Sequence, residues 1–205
     1  MSDANRAAVI KAYAEGATAY AAKFGDQFET NGSDRDRIAS LLVAAPAGPV
    51  LDCGCGPAQV AALVVNLGRA AVGLDLTEAM LAAARTRATG LVAADMCAMP
   101  LRADSFAAVV CWFSIHNLLP DQLAAAFSEV ARVLVDGGRL LLATHEGTGQ
   151  HWFGEGNDQV LLAYHDASSL TPVLAAAGLS VEAVSRRPPA SDEHQVSKLF
   201  VVARR

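Results

Sequence analysis

The sequence predicts an α/β fold in which a mostly parallel sheet is wound on both sides by helices. Three observations carry this expectation. From Pro49 onward, short apolar strands alternate with segments of helical period. The run Phe106-Ala107-Ala108-Val109-Val110-Cys111-Trp112 is apolar throughout, as a central parallel strand covered on both faces requires. The last two strand-like segments, residues 179–185 and 198–203, are joined by a proline-rich polar stretch without helical period. A parallel crossover needs about a dozen residues and usually a helix, so these two strands are expected to be antiparallel neighbours.

The elements follow in order. Residues 5–23 are alanine-rich and read as a helix, and Ser33 or Asp34 is an N-cap candidate before Ile38, Leu41 and Leu42. Strands are expected at 50–52 and 71–74, with a helix at 58–66 between them. Thr77 can cap a helix carrying Met80, Leu81 and Ala84, and Gly90 precedes a short strand ending near Asp95. Pro120 and Asp121 open a helix on which Leu123, Phe127, Val130 and Leu134 recur at helical spacing, with Gly137-Gly138 as its stop. Residues 139–144 form the next strand. The irregular stretch 145–167 exceeds the roughly 12–15 residues usual for a structureless connection and is expected to be a functional loop or lid. Ser168 or Ser169 then begins a helix ending at Gly178.

Composition narrows the function. At 205 residues and 53% hydrophobic content the chain suits one domain, residues 1–205, with a helical cover at 1–45 and an α/β core at 46–205. No apolar stretch approaches the roughly 20 residues of a membrane span, and the polar start lacks a secretory signal's order. A cytoplasmic location without membrane partners is expected. Cys53, Cys55, Cys97 and Cys111 are expected as reduced thiols, and the Cys-x-Cys pair has no matching pair elsewhere to complete a zinc site. A net charge of −5 with scattered arginines gives nucleic acid little reason to bind.

Chemistry concentrates where Val50-Leu51-Asp52 ends in Cys53-Gly54-Cys55-Gly56-Pro57-Ala58. A glycine-punctuated turn opening into a helix lets a ligand approach backbone closely and presents amides to an anionic or carboxylate-bearing group. The next apolar run, Ala70-Ala71-Val72-Gly73-Leu74, ends in Asp75, whose carboxylate can accept from both hydroxyls of a ribose. Together these predict an adenosine-containing ligand.

At these residues the chain resembles the class I S-adenosylmethionine-dependent methyltransferases. The likeness is strongest to the small-molecule, type 11 group that includes ubiquinone and menaquinone biosynthesis enzymes. Asp52-Cys53-Gly54-Cys55-Gly56 is similar to the family's glycine-rich first motif, Gly73-Leu74-Asp75 to its ribose-binding strand end and Ala94-Asp95-Met96 to its adenine-site motif. Residues 109–116 resemble the fourth-strand motif, and residues 133–140 the segment entering the fifth strand. Five motifs in order are far more specific than one glycine turn. The resemblance implies a Rossmann-like, doubly wound, seven-stranded sheet of order 3-2-1-4-5-7-6 with strand 7 antiparallel, beneath an N-terminal helical cover. One departure is Pro57-Ala58, where many relatives carry a third glycine; a slightly stiffer loop is expected there.

The same resemblance assigns roles. The cofactor's amino-acid end is expected over Gly54, Cys55 and Gly56, whose amides would take its carboxylate, with Asp52 bracing the loop or reaching the ammonium through water. Asp75 would hold the ribose, Leu76 would pack on the adenine, and Asp95 with the Met96 backbone would read the adenine edge. Trp112 or Phe113 could face the sulfonium. Tyr13 and Tyr20 share one helical face, and Tyr20 is expected in a lid over the cofactor. The bland alternatives are helix capping for Asp75 and Asp95 and core packing for Leu76, Met96 and the aromatic residues.

Methyl transfer depends above all on orientation, so a base is optional. His145-Glu146 after the fifth strand is the first choice for one, then His116, with His165 also in view; the alternative is that these groups shape the pocket only. Trp152, Phe153 and Tyr164 are substrate-site candidates from the long loop. The expected reaction is methyl transfer from S-adenosylmethionine to a small, hydrophobic or aromatic acceptor, releasing S-adenosylhomocysteine. A noncatalytic cofactor-binding module and a nucleotide-dependent oxidoreductase are the competing readings.

Overall fold

The structure, a computed structural model, describes residues 3–30, 32–88, 90–153, 159–191 and 193–205, with the side chains of residues 3–5, 29 and 30 left aside. Residues 154–158 of the expected lid and the first two residues of the chain lie outside the described residues.

Three helices come first: α1 (Asp3–Phe24), α2 (Gln27–Thr30) and α3 (Gly32–Ala44). Strands and helices then alternate as β1 (Val50–Cys53), α4 (Gln59–Asn66), β2 (Ala71–Asp75), α5 (Glu78–Ala84), β3 (Leu91–Ala93), β4 (Phe106–Trp112), α6 (Pro120–Val133) and β5 (Leu134–His145). A short hairpin, β6 (Gln150–Phe153) and β7 (Val160–Ala163), precedes α7 (Ala167–Ala176), β8 (Ser180–Arg187) and β9 (Lys198–Arg204). The main sheet has the order β3-β2-β1-β4-β5-β9-β8, parallel from β3 to β5, with β9 antiparallel to both β5 and β8. With the small hairpin counted apart, this is the expected 3-2-1-4-5-7-6.

Alternation along the strands makes the sheet two-sided. Val109 and Cys111 of β4 join a core with Leu51, Leu140, Leu142 and the α6 residues Phe127 and Val130. Their neighbours Ala108, Val110 and Trp112 face the other way, onto Ile38 and Leu41 of α3 and Val60 and Val64 of α4. Every residue of β4 is buried, which is why its sequence shows no polar alternation.

Three expectations need correction. Gly137-Gly138 does not end a helix: α6 stops at Val133, and the glycines sit inside β5 at an irregularity opposite Phe106 and Ala108, with Gly137 at φ +75°. Glycine adopts that left-handed conformation without a Cβ penalty. The stretch 145–167 is not irregular throughout, because β6 and β7 pair across it. The last helix is capped by Asp166 rather than by a serine, its carboxylate accepting the Ser169 amide at 2.7 Å.

Candidate functional site

The carboxyl ends of β1, β2, β3 and β4 border a cleft enclosing about 820 Å³ of unfilled space, its open mouth included. This is where ligands of open α/β sheets bind. Helix α1 covers it, contributing Val9, Tyr13 and Tyr20 to the lining.

The turn after β1 has an exact steric need for glycine at its first position. Gly54 has φ +77°, and a Cβ there would collide with Ser114 and approach Met96 Cε to 3.1 Å. Ser114 is drawn in because its hydroxyl donates to the Cys53 carbonyl at 2.7 Å. At Gly56, φ +51°, a Cβ would stand 3.8 Å from the Tyr20 ring. The position of the missing third glycine is also left-handed, since buried Ala58 has φ 61°. The departure therefore stores backbone strain of about 1–2 kcal/mol in the loop.

The turns after β1 and β2 meet through Asp75. Its Oδ2 accepts the Gly56 amide at 2.8 Å and its Oδ1 accepts the Thr77 amide at 2.8 Å. Burial raises the Asp75 pKa above the ordinary value, and the Thr77, Gly56 and Leu76 amides oppose that rise. The Tyr20 hydroxyl is pushed up to about 12, by burial and then by Asp75. At the third turn, Asp95 Oδ1 accepts the Cys97 amide at 2.9 Å, and its Oδ2 lies 3.4 Å from Arg6 Nε of α1.

Nine of the expected cofactor residues line this one cleft: Tyr20, Gly54, Cys55, Gly56, Asp75, Leu76, Asp95, Met96 and Trp112. Asp52 does not. It is buried, and its Oδ2 accepts the Ala61 amide of α4 at 3.0 Å, so it braces the turn. Burial lifts its pKa to about 7, the Ala61 amide opposing and Asp75 adding to the rise. The loop amides are also committed differently than expected. Gly54 and Cys55 both donate to the Leu74 carbonyl, at 2.7 and 2.9 Å, and Gly56 donates to Asp75. A carboxylate would have to be received elsewhere.

The three base candidates lie outside the lining. His145 packs on Phe113, itself a cleft residue, with ring centroids 5.1 Å apart, and burial together with His116, Lys198 and His194 lowers its pKa to about 3. His116 bonds to Tyr13 Oη at 3.1 Å and is held down to about 4 by burial and then by His165. Glu146 is engaged by the Arg186 guanidinium. Chain position at the sheet edge was correct for all three. Trp112 and Phe113, edge to face at 5.6 Å, turn one way into the cleft while these groups lie against β7, His194 and β8. Of the further loop candidates, Phe153 borders an adjoining cavity, and Trp152 is about half exposed.

Gln59, Ser114 and Asn117 line the cleft without having been singled out. Gln59 at the start of α4 is buried with its Oε1 unpartnered, a polar atom that a ligand donor would satisfy. Only its place at a helix start after the glycine turn could have pointed to it. Among the described residues, no three or more His, Cys, Asp or Glu are grouped to hold a metal ion, and no helix is long and apolar enough to cross a membrane.

Residues 50–138 match a family model described as a methyltransferase domain. A protein of Mycolicibacterium smegmatis described as a "Probable S-adenosylmethionine-dependent methyltransferase" is 34% identical over 139 residues, covering 65% of this chain and 52% of that protein. The demethylmenaquinone methyltransferase of Mycobacterium tuberculosis H37Rv is 37% identical over 103 residues, 50% of this chain and 43% of the other. The chain thus spans about half the length of these curated relatives. Among solved structures, the 1,6-didemethyltoxoflavin-N1-methyltransferase of Burkholderia thailandensis, crystallised with 1,6-didemethyltoxoflavin and S-adenosylhomocysteine, superposes with a TM-score of 0.72 at 18% identity, covering 97% of this chain and 87% of that one. A methyltransferase of Methanosarcina mazei gives 0.69 at 15% identity, covering 77% and 92%. At these identities the structural likeness speaks to the fold.

Proposed function

We propose that this chain, which belongs to the class I S-adenosylmethionine-dependent methyltransferases, transfers the methyl group of S-adenosylmethionine to a small-molecule acceptor and releases S-adenosylhomocysteine. The observation that carries the reading is the 2.8 Å bond from the Gly56 amide to Asp75, which brings the first two strand ends together around one cleft.

The residues present fit the cofactor's parts. Asp75 accepts the Gly56 amide on Oδ2 and the Thr77 amide on Oδ1, and a carboxylate's remaining lone pairs suit the two ribose hydroxyls. Asp95 and the Met96 backbone face an adenine edge, between the apolar surfaces of Leu76, Met80 and Ala94. Gln59 Oε1 offers an acceptor to the ammonium of the amino-acid end. Tyr20, Trp112 and Phe113 supply aromatic walls that suit a sulfonium cation and keep water from it. When bound, the cofactor supplies an electrophilic methyl on a positively charged sulfur. The protein's part is alignment of the acceptor with the sulfur–methyl bond, worth roughly 7–11 kcal/mol of barrier. His116, His145 and Glu146 contribute by supporting Tyr13, Phe113 and the β7 segment rather than by taking a proton.

Isothermal titration with S-adenosylhomocysteine tests the reading. Saturable one-to-one binding that weakens on Asp75→Ala is expected; absence of heat at millimolar ligand overturns it.

A further inference from the structure

A second cavity of about 400 Å³, bordered by Ala12, Gly16, Phe153 and Val160, shares Tyr13, Tyr20 and Met80 with the cofactor cleft. The two spaces are therefore neighbours with these residues as common walls, and the two tyrosine rings stand edge to face at 6.1 Å. None of the described residues around this second space is charged. Its size falls within the roughly 300–1,000 Å³ of small-molecule sites.

The polarity of the Tyr13 hydroxyl follows from its partners His116 and Asn117, the latter a residue of the cofactor cleft. Asn117 donates through Nδ2 to the Leu161 carbonyl, so the amide cannot be turned and its Oδ1 must face Tyr13. Tyr13 Oη consequently donates its only proton to Asn117 Oδ1, at 3.0 Å. His116 Nε2, 3.1 Å away, must then donate to Tyr13, which places a proton on Nε2, and burial keeps the imidazole neutral. Its buried Nδ1 has no partner, as this tautomer allows. The phenol has no proton left to give and one lone pair unspent.

Building on the methyl-transfer reading, we propose that the second cavity is the acceptor site and that it selects an uncharged ring compound carrying a hydroxyl or amine hydrogen, which donates to Tyr13 Oη. The apolar walls hold the ring and Tyr13 fixes its donor group beside the cofactor cleft. Tyr13 acts as a binding residue and not as a base, because the proton it would need to pass on is committed to Asn117 and His116 offers a proton rather than accepting one. Charged acceptors are disfavoured, since nothing described around the cavity compensates their desolvation.

The test uses the full chain saturated with S-adenosylhomocysteine and three probes of one shape: 1-naphthol, 1-methoxynaphthalene and 1-naphthoate. Naphthol is expected to bind roughly fivefold tighter than methoxynaphthalene, the effect of one neutral hydrogen bond, with naphthoate weakest. Tyr13→Phe should bring naphthol down to the methoxynaphthalene value while methoxynaphthalene's own affinity stays within about twofold. Equal affinities for naphthol and methoxynaphthalene, tightest binding of naphthoate, no binding of any probe, or a preference that survives Tyr13→Phe would each overturn the proposal. If the variant does not fold, the three-probe ranking on the unaltered chain decides alone. If S-adenosylhomocysteine fails to bind, the methyl-donor reading falls, and the same ranking on the unloaded chain still judges the acceptor site.

Discussion

The two halves of the sheet's carboxyl edge are built in opposite ways. On the β1–β2–β3 side each strand ends in a short turn that places its own polar group in the cleft, and the groups joined by Gly56–Asp75 lie only 19 residues apart. On the β4–β5 side the side chains come from distant segments: Tyr13 meets His116 across 103 residues, and Tyr164 bonds His194 at 2.7 Å across 30. All five histidines of the chain lie on that second side. The first side is a backbone device that depends on turn geometry. The second is a side-chain assembly that depends on tertiary packing and that titrates.

Substitutions should separate the two, and the largest effect belongs to the turn. Gly54→Ala combines a left-handed residue with a collision against Ser114, so loss of S-adenosylhomocysteine binding and a lowered Tm, by calorimetry and thermal melting, are expected. A variant that binds normally would show that the loop is not the rigid part. Next, Asp75→Ala removes the acceptor of Gly56 and Thr77 together with the proposed ribose site, and S-adenosylhomocysteine should bind about 10- to 100-fold more weakly, as for hydrogen bonds to a charged group.

The third difference is the sign of the pH response. Asp52 has its pKa raised from 3.8 to about 7 in the folded state, so its contribution is full below 3.8 and is lost as pH rises through 7. His116 is lowered from 6.5 to about 4, so its contribution is full above 6.5 and is lost as pH falls through 4, on the order of 3 kcal/mol. His145, lowered to about 3, acts in the same direction as His116. Chemical denaturation between pH 4 and 8 should therefore show Asp52→Asn flattening the alkaline slope and His116→Phe flattening the acid slope. Identical profiles in both variants would erase the distinction. The smallest effect is expected at Ala58→Gly. Relief of the positive φ stabilises, while loss of a buried methyl and a freer unfolded chain oppose it, leaving a net change within about 1 kcal/mol.

The same contrast explains what could be read before the fold was known. Gly54, Asp75 and Asp95 were legible as cleft residues because each sits at the end of an apolar run, where local pattern and position coincide. Asp52 was harder, since a carboxylate at that strand end serves the ligand or the Ala61 amide equally well by sequence. The β6–β7 hairpin was hidden because all four residues of β6 are exposed, leaving no alternation of buried and exposed positions to reveal a strand. The tie from Tyr13 to His116 and Asn117 has no local signal at all. It exists only because α1 is laid across the end of β4, and nothing in helical spacing says which distant loop a tyrosine will meet.

That placement of α1 has a kinetic consequence. The helix's ties include Arg6 to Asp95 and Tyr13 to His116 and Asn117, and Tyr20 borders both the cleft and the second cavity. On the proposed reading, a spent nucleoside would leave past these contacts, a threshold on its departure that the bond-making step would not share. Dwell time, rather than alignment, would then be the quantity that changes in α1 tune.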